Sequence, residues 1–173
     1  MSDKTDRQLM TRSFPDRDSA ERAFNDLHSR GYKADDIHVM MSDDTRKRHF
    51  GKDMEKTDLG NKAAEGAGIG GAVGGAVGAT LVGIAAAAAA ITVPGLGLVI
   101  AGPIAGALAG GATGAATGGL VGMLVGAGIP EDRAKAYETD LKKGHIVMGV
   151  SPRNDDDVRY FESEWEGMPA RRQ

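Results

Sequence analysis

The feature that most constrains this chain is a long central stretch without a single charged side chain. Residues 66–130 contain no Asp, Glu, Lys, Arg or His, although charged residues make up 26% of the sequence. Glycine recurs there at every fourth position in two runs. Residues four apart lie on nearly one face of an α-helix, so each run predicts a helix with a stripe almost free of side chains. The stripe residues are Gly66, Gly70, Gly74 and Gly78 in the first run, and Gly102, Gly106, Gly110, Gly114, Gly118, Gly122 and Gly126 in the second.

The composition of these two helices favours a membrane over water. In water, each interior glycine costs about 1 kcal/mol relative to alanine, whereas hydrocarbon forces the backbone to satisfy its own hydrogen bonds. One crossing needs about 20 residues, so the stretch predicts a transmembrane hairpin over 63–129. Its helices are expected at about 63–92 and 97–128, with Pro94 and Gly95 in the turn. Lysine and arginine flank the hairpin but are missing from its tip, which places both flanks on the cytoplasmic side of the inner membrane.

The residues before the hairpin predict a strand, a helix and a second strand. A short strand is expected at Leu9–Phe14, and Pro15–Ser19 has the proline and acidic residues of a helix start. Gly31 suits the left-handed position that ends this helix. Ile37–Met41 alternates as a half-buried strand does. The helix residues expected to face the core are Ala20, Ala23, Phe24 and Leu27.

The residues after the hairpin predict a helix, a strand and a second helix. Pro130–Asp132 starts the first helix and Gly144 ends it. Ile146–Val150 alternates as a strand, and Asn154 or Asp155 is expected to cap the last helix. The residues predicted to face the core from these helices are Ala134, Tyr137, Leu141, Val158, Phe161 and Trp165.

These patterns predict an α+β protein: a small, split ferredoxin-like α/β domain that the transmembrane hairpin interrupts. Its halves are residues 1–42 and 130–166, with a charged linker at 43–62 and a flexible tail at 167–173. The ferredoxin-like order requires a fourth strand after the last helix, and the sequence contains none. The unpaired sheet edge is therefore expected to be able to accept a strand from another subunit.

Little in the sequence indicates catalysis. The chain has no cysteine, which excludes thiolate chemistry and disulfides. Gly66–Gly71 matches the letters of a dinucleotide-binding loop, but it follows a charged linker instead of a strand. A net charge of -3 does not favour nucleic acid. We therefore predict no enzyme, no cofactor, no metal and no small-molecule substrate. The histidines, none of which has metal-ligand spacing to another, are His28, His38, His49 and His145.

Three parts of the sequence together follow the pattern of a known family. They are Ser13–Ala23 with Gly31–Tyr32 and Asp36–Val39, then the glycine-rich centre, and then Gly128–Ala134 leading through Tyr137 and Gly144 to Ile146–Met148. This combination resembles the bacterial general stress proteins, the heat-induced and low-temperature-induced membrane proteins of the YflT type. The resemblance covers most of residues 9–165. It implies stress-linked expression and membrane association, and it brings no catalytic residues.

The function expected from the sequence is packing. Between Ala109 and Gly119 the second helix has no large apolar side chain, so it needs helical partners, which predicts a homo-oligomer in the lipid bilayer. The chain is thus predicted to be a stress-associated integral membrane protein with a structural or membrane-stabilising role, self-associating through its glycine stripes. Two alternatives stay open. One is an oligomeric pore lined by small residues, and the other is a non-membrane scaffold whose hairpin packs inside a soluble shell or filament.

Overall fold

The described part of the chain forms an α+β domain, which confirms the predicted class. The computed structural model describes residues 9–33, 36–56, 92–93, 97–102, 105 and 112–167. The strands are β1 (Met10–Phe14), β2 (Ile37–Ser42), β3 (Thr92–Val93), β4 (Leu98–Ala101) and β5 (Ile146–Val150). The helices are α1 (Arg17–Ser29), α2 (Asp43–Lys56), α3 (Ala112–Gly126), α4 (Glu131–Lys142) and α5 (Asp155–Gly167).

One sheet organises these elements. Its strand order is β1-β5-β2-β4-β3, and every neighbouring pair is antiparallel. Because β5 lies antiparallel between β1 and β2, those two strands run parallel to each other, with α1 connecting them. Near the middle of these three strands, Gly149 of β5 pairs with Thr11 of β1 on one side and with His38 of β2 on the other. We call these three residues the central row of the sheet.

The first helix follows the sequence prediction. The side chain of Asp16 accepts the backbone N–H of Ser19, which caps the N-terminus of α1. All four predicted core residues of α1 are buried. Gly31 has a φ of 85°, and the following N–H of Tyr32 donates to the carbonyl of Leu27 at 3.1 Å. That closing bond ends the helix and carries Tyr32 into the core.

The sheet is covered on both faces, not on one. On the first face, α1, α5 and Phe50 of α2 pack on alternate residues of β2, β4 and β5. The side chains that alternate with these point to the second face, where α3 and α4 pack on them. Met40 of β2 and Val147 of β5 are two of these residues. The expectation that β2 is half-buried is therefore wrong, because every residue of Ile37–Met41 is buried. In α5 the predicted Phe161 and Trp165 are buried.

The charged linker predicted at 43–62 is wrong for its first part, where α2 forms. The hydroxyl of Ser42 accepts the N–H of Thr45 at 3.1 Å and so caps this helix. Phe50 is fully buried, with the guanidinium of Arg17 over its ring. Tertiary packing of Phe50 stabilises this helix, and such packing is not visible as apolar periodicity in the sequence.

The second predicted hairpin helix, 97–128, is also wrong at its start. β4 is a strand, and it pairs along β2 from Val39↔Ala101 to Ser42↔Leu98. Its apolar run is buried on both faces, and periodicity cannot separate such a strand from a buried helix. The first predicted helix, 63–92, is wrong at its last residue, because Thr92 belongs to strand β3. Within the described parts of the centre, α3 is the one long helical stretch, and it has a kink at Gly119.

The extra strands join the sheet at an unexpected edge. The sequence lacks a fourth strand after the last helix, and the edge left unpaired is expected to be able to accept a strand from another subunit, which the structure does not test. On the opposite edge, β4 and β3 come from the uncharged centre of the same chain and extend the sheet beside β2. In the described residues, β1 remains the terminal strand on the other side.

Several predictions concern residues that the structure does not describe. They are the turn residues Pro94 and Gly95, the stripe residues Gly66, Gly70, Gly74, Gly78, Gly106 and Gly110, and most of the tail, 168–173. Within the part of the chain that is described, no helix combines the length and the apolar character that a membrane crossing requires.

The close packing of Gly102 on the backbone of β2, which joins the central segment to the sheet, can be tested by mutation. Its φ is 87°, and a Cβ built on it would lie 2.2 Å from the carbonyl oxygen of Ile37. We expect Gly102→Ala to lower the free energy of unfolding by about 3 kcal/mol or more, because strain adds to a backbone clash. Urea denaturation measures this loss. Gly51→Ala in α2, where no described atom lies within 4 Å of a built Cβ, is the control; equal losses in both variants would contradict the close approach.

Candidate association surface

α3 has a buried side that fixes it to the sheet. Leu120, Met123 and Leu124 are buried, and they belong to one cluster with Leu98 and Ile100 of β4. The same cluster also contains residues of β2, β5 and α4, and α4 is the element that α3 contacts most extensively. The position of α3 is therefore set by α4 together with the sheet that β4 extends.

The other side of α3 is exposed, small and uncharged. We define the glycine face as the exposed surface formed by Gly118, which precedes a kink at Gly119, and by Gly122, Val125 and Gly126, which follow it. Gly118 and Gly126 are exposed and Gly122 is half-buried, and no described atom lies within 4 Å of a Cβ built at Gly118 or Gly126. Val125 is 43% exposed, and among the described residues it is the one large hydrophobic side chain on the surface. Backbones can approach such a face closely.

The glycine face keeps part of the predicted stripe. Gly118, Gly122 and Gly126 are helical, and Gly114 also lies in α3. However, Gly119 has a φ of 56° and a ψ of -145°, so the helix is kinked there and the continuous stripe predicted from the spacing is wrong. Gly102, by contrast, does not lie on a helix face, because it packs on the backbone of β2.

A buried carboxylate joins α5 to the end of α1. The hydroxyl of Tyr32 donates to Oδ2 of Asp157 at 2.6 Å, and Nε of Arg153 donates to the same oxygen at 3.0 Å. Burial raises the pKa of Tyr32 to about 12. Burial also opposes ionisation of Asp157, but the hydrogen bonds from Arg153 and Tyr32 outweigh it and lower the pKa. Nothing in the sequence pattern indicated this contact, which spans 125 positions.

Helix capping explains the hydrogen bond of the Asp157 backbone N–H but not the contacts of its side chain. The side chain of Asn154 accepts the N–H of Asp157 at 2.8 Å, so Asn154 caps α5 as predicted. The carboxylate of Asp157 points the other way, into the cluster with Tyr32. The cluster ties two helices together and leaves Asp157 only 4% exposed, which is typical of a structural ion pair.

A second polar group lies beneath α4, on the central row of the sheet. The hydroxyl of Tyr137 lies 2.8 Å from the carbonyl oxygen of Thr11 and 2.9 Å from its Oγ1. His38 is buried on the same row, and desolvation lowers its pKa to about 4. A Cβ built at Gly149, between Thr11 and His38, would lie 2.8 Å from Cγ2 of Thr11. The row therefore needs glycine in β5, which alternation in the sequence did not indicate.

One group has the residue types of a catalytic triad without its geometry. Oγ of Ser13 lies 3.2 Å from Nδ1 of His145, and Oδ1 of Asp140 lies 3.7 Å from the same Nδ1. A triad needs the serine and the aspartate on opposite ring nitrogens. This arrangement therefore cannot pass a proton from serine through histidine. Among the described residues no group of three or more possible ligands could hold a metal ion.

The described residues thus define an α+β domain whose most unusual surface is an exposed helix face of glycine and valine. No family model, no curated protein and no solved structure matches this chain. The resemblance to the general stress proteins therefore rests on the sequence features alone.

Asp157 and Asp156 form a matched pair for testing the buried cluster. Both lie in the first turn of α5, so both interact with the helix dipole. We expect Asp157→Asn to lower the free energy of unfolding by about 2 kcal/mol, since a buried charged hydrogen-bond network is broken. Asp156→Asn, at an exposed ion pair with Arg159, should change it by less than about 0.5 kcal/mol. Urea denaturation at pH 7 compares them; similar losses would contradict the structural role of Asp157.

His38 predicts a pH dependence of stability. Its pKa is about 4 in the fold, against 6.5 for a solvated histidine, so the unfolded chain binds the proton first as the pH falls. The contribution of neutral His38 to the free energy of unfolding is complete above pH 6.5. It is lost as the pH falls towards 4, which lowers the free energy of unfolding by about 3 kcal/mol. NMR titration of the imidazole measures the pKa directly. In His38→Gln the slope of stability between pH 6.5 and 5 should flatten, and an imidazole that titrates near 6.5 would contradict the burial.

Proposed function

We propose that this chain is a stress-associated structural protein that works by close packing of glycine-rich surfaces in homo-oligomers, not by catalysis. The glycine face of α3 is the observation that carries this proposal. An uncharged helix is exposed on a protein in which 26% of the residues are charged. Glycine in an exposed helix lets two backbones approach closely, and small-residue faces of this kind are used for helix association. The link to stress comes from the resemblance in the sequence.

The proposed location is the cytoplasmic side of the inner membrane, with contact to the bilayer but no crossing. Lys56 ends α2 and Thr92 begins β3, and both elements belong to one domain. A single crossing would place these two ends on opposite sides of the membrane. Two crossings need about 40 residues, whereas the segment 57–91 has 35. This length supports surface contact instead of a transmembrane hairpin.

The two alternative functions are supported to different degrees. A non-membrane scaffold, in which the glycine-rich part packs inside a protein assembly, is supported by the attachment of β4 and α3 to the sheet. A pore is less well supported, because α3 buries its large residues against the domain. For the fold, we propose that β1, α1, β2, β5 and α5 form a ferredoxin-like unit, which the split connection β1-α1-β2 around β5 supports.

Self-association through the glycine face predicts a dependence on side-chain size. We expect the wild-type chain to form oligomers, and Gly126→Leu to weaken association at least about tenfold, because the added side chain holds two backbones apart. Sedimentation velocity over a range of concentrations measures this. Gly51→Leu adds the same bulk to α2 at a position with open space and should associate normally. A wild-type chain that stays monomeric at every concentration would contradict the proposal.

The membrane part of the proposal has its own test. A protein in surface contact is released from membranes by alkaline carbonate, whereas a transmembrane hairpin stays in the pellet. We therefore expect the wild-type chain to bind membranes at neutral pH and to appear in the carbonate supernatant. Recovery in the carbonate pellet would contradict the absence of a crossing. A chain that never binds membranes would favour the non-membrane scaffold.

A further inference from the structure

His38 is a buried titratable side chain in the middle of the sheet. It is 6% exposed, and it lies on the central row, where Gly149 of β5 pairs with it. On its other side, a Cβ built at Gly102 would lie 3.0 Å from the Cα of His38. Two residues without side chains therefore flank it within the sheet, and neither supplies a carboxylate that could balance a charge on the imidazole.

The imidazole of His38 lies on the second face of the sheet, under α4. Met40, two residues further along β2, packs in the second-face cluster, whereas Val39 packs in the first-face cluster. α4 covers this part of the second face, since it contacts both β2 and β5. The hydroxyl of Tyr137 bonds to Thr11 and so ties α4 to the central row. Among the described elements, α4 is the one that has to move before water reaches His38 from this side.

Protonation of His38 requires that water. A buried imidazolium is unfavourable unless an opposite charge compensates the loss of hydration. Desolvation lowers the pKa of His38 to about 4, and the opposing effect of the exposed Asp36 is smaller.

The elements packed around the row bring no compensating charge to His38. From α4 the titratable group on the row is Tyr137, and burial raises its pKa, so it stays neutral. Arg12 of β1 and the α4 residues Arg133 and Asp140 affect the pKa of Tyr137, but they are not among the groups that shift the pKa of His38. The charged form of His38 therefore fits an open second face and not the closed one.

The two faces of the sheet are held in different ways. On the first face, hydroxyl–carboxylate bonds join the α1 region to α5, from Tyr32 to Asp157 and from Tyr160 to Asp26. On the second face, the hydroxyl of Tyr137 ties α4 to the sheet, and it does so on the row that carries His38. A charge on His38 therefore weakens the attachment of α4 before that of α1 and α5.

We propose that the central row is an acid-sensitive switch: as the pH falls, His38 takes up a proton, α4 lifts from the sheet, and the apolar residues of the second face become accessible. This goes beyond the proposed function, because it concerns the opening of a single copy and holds whether or not copies associate. The open chain binds the proton as a solvated histidine does, whereas the closed chain binds it as the buried one does. Between pH 7 and pH 5 this difference multiplies the ratio of open to closed chains about twentyfold.

β5 offers a matched pair of reporter positions in a chain without cysteine. Val147→Cys puts a thiol on the second face and Val150→Cys puts one on the first, and both valines are 0% exposed. Dithiodipyridine, which also modifies thiols at acidic pH, is applied at pH 7 and at pH 5. We expect the modification rate of Val147→Cys, relative to that of Val150→Cys, to be about twentyfold higher at pH 5. The fluorescence of Trp165, which packs on Phe14 on the first face, should stay unchanged.

Histidine substitutions identify the sensor. Adding His38→Gln to Val147→Cys should remove the rise, whereas adding His145→Gln, beside Asp140 near the end of α4, should leave it intact. The proposal is overturned by equal acceleration of both thiols, which means global unfolding, by no acceleration, or by a rise that persists without His38.

Amide hydrogen exchange of the wild-type chain gives the same decision if circular dichroism shows that His38→Gln does not fold. After correction for the intrinsic exchange rates, the amides of α4 should open more at pH 5 than at pH 7, while those of α1 stay protected. Unchanged protection of α4, or equal loss in both helices, would overturn the switch.

Discussion

The antiparallel pairing of β2 with β4 is the interaction on which the rest of this structure depends. It brings a strand from the uncharged centre into the sheet and sets Gly102 against the carbonyl of Ile37. The apolar side chains of β4 then give α3 a surface to pack on. Without this pairing, β2 would be an open edge and α3 would lose the part of its packing surface that β4 supplies, keeping its contact with α4. The glycine face has an orientation only because one side of α3 is held.

Local features of the fold are predictable from the sequence because their causes are local. The cap at Asp16, the buried face of α1 and the left-handed Gly31 are each determined within a few residues. The same holds for α4, whose predicted core residues are buried, and for Gly144, which has a φ of 92°. Helix starts, helix ends and amphipathic faces are determined by residues close together in the chain, so they can be predicted from a single sequence.

The features that escaped prediction have non-local causes. Leu98–Ala101 is apolar on both sides, and only the open edge of β2 decides that it becomes a strand. Phe50 holds α2 in place without any periodicity around it. The contact of Tyr32 with Asp157 and the need for glycine at position 149 arise from neighbours far apart in the chain. The candidate site was predictable in composition, since Gly118, Gly122 and Gly126 form part of it, but its kink and its buried side were not.

Glycine repeats without charge do not by themselves distinguish lipid from protein. In both settings the repeat lets backbones approach, and in both the backbone hydrogen bonds stay inside the helix. What separates the settings is how the ends of the segment are held. A segment that leaves a folded domain and returns to it must make an even number of crossings, and about 20 residues are needed for each. Because β3 and β4 take up residues from the middle of the uncharged stretch, the segment between α2 and β3 has 35 residues, which is less than the about 40 that two crossings of average length take.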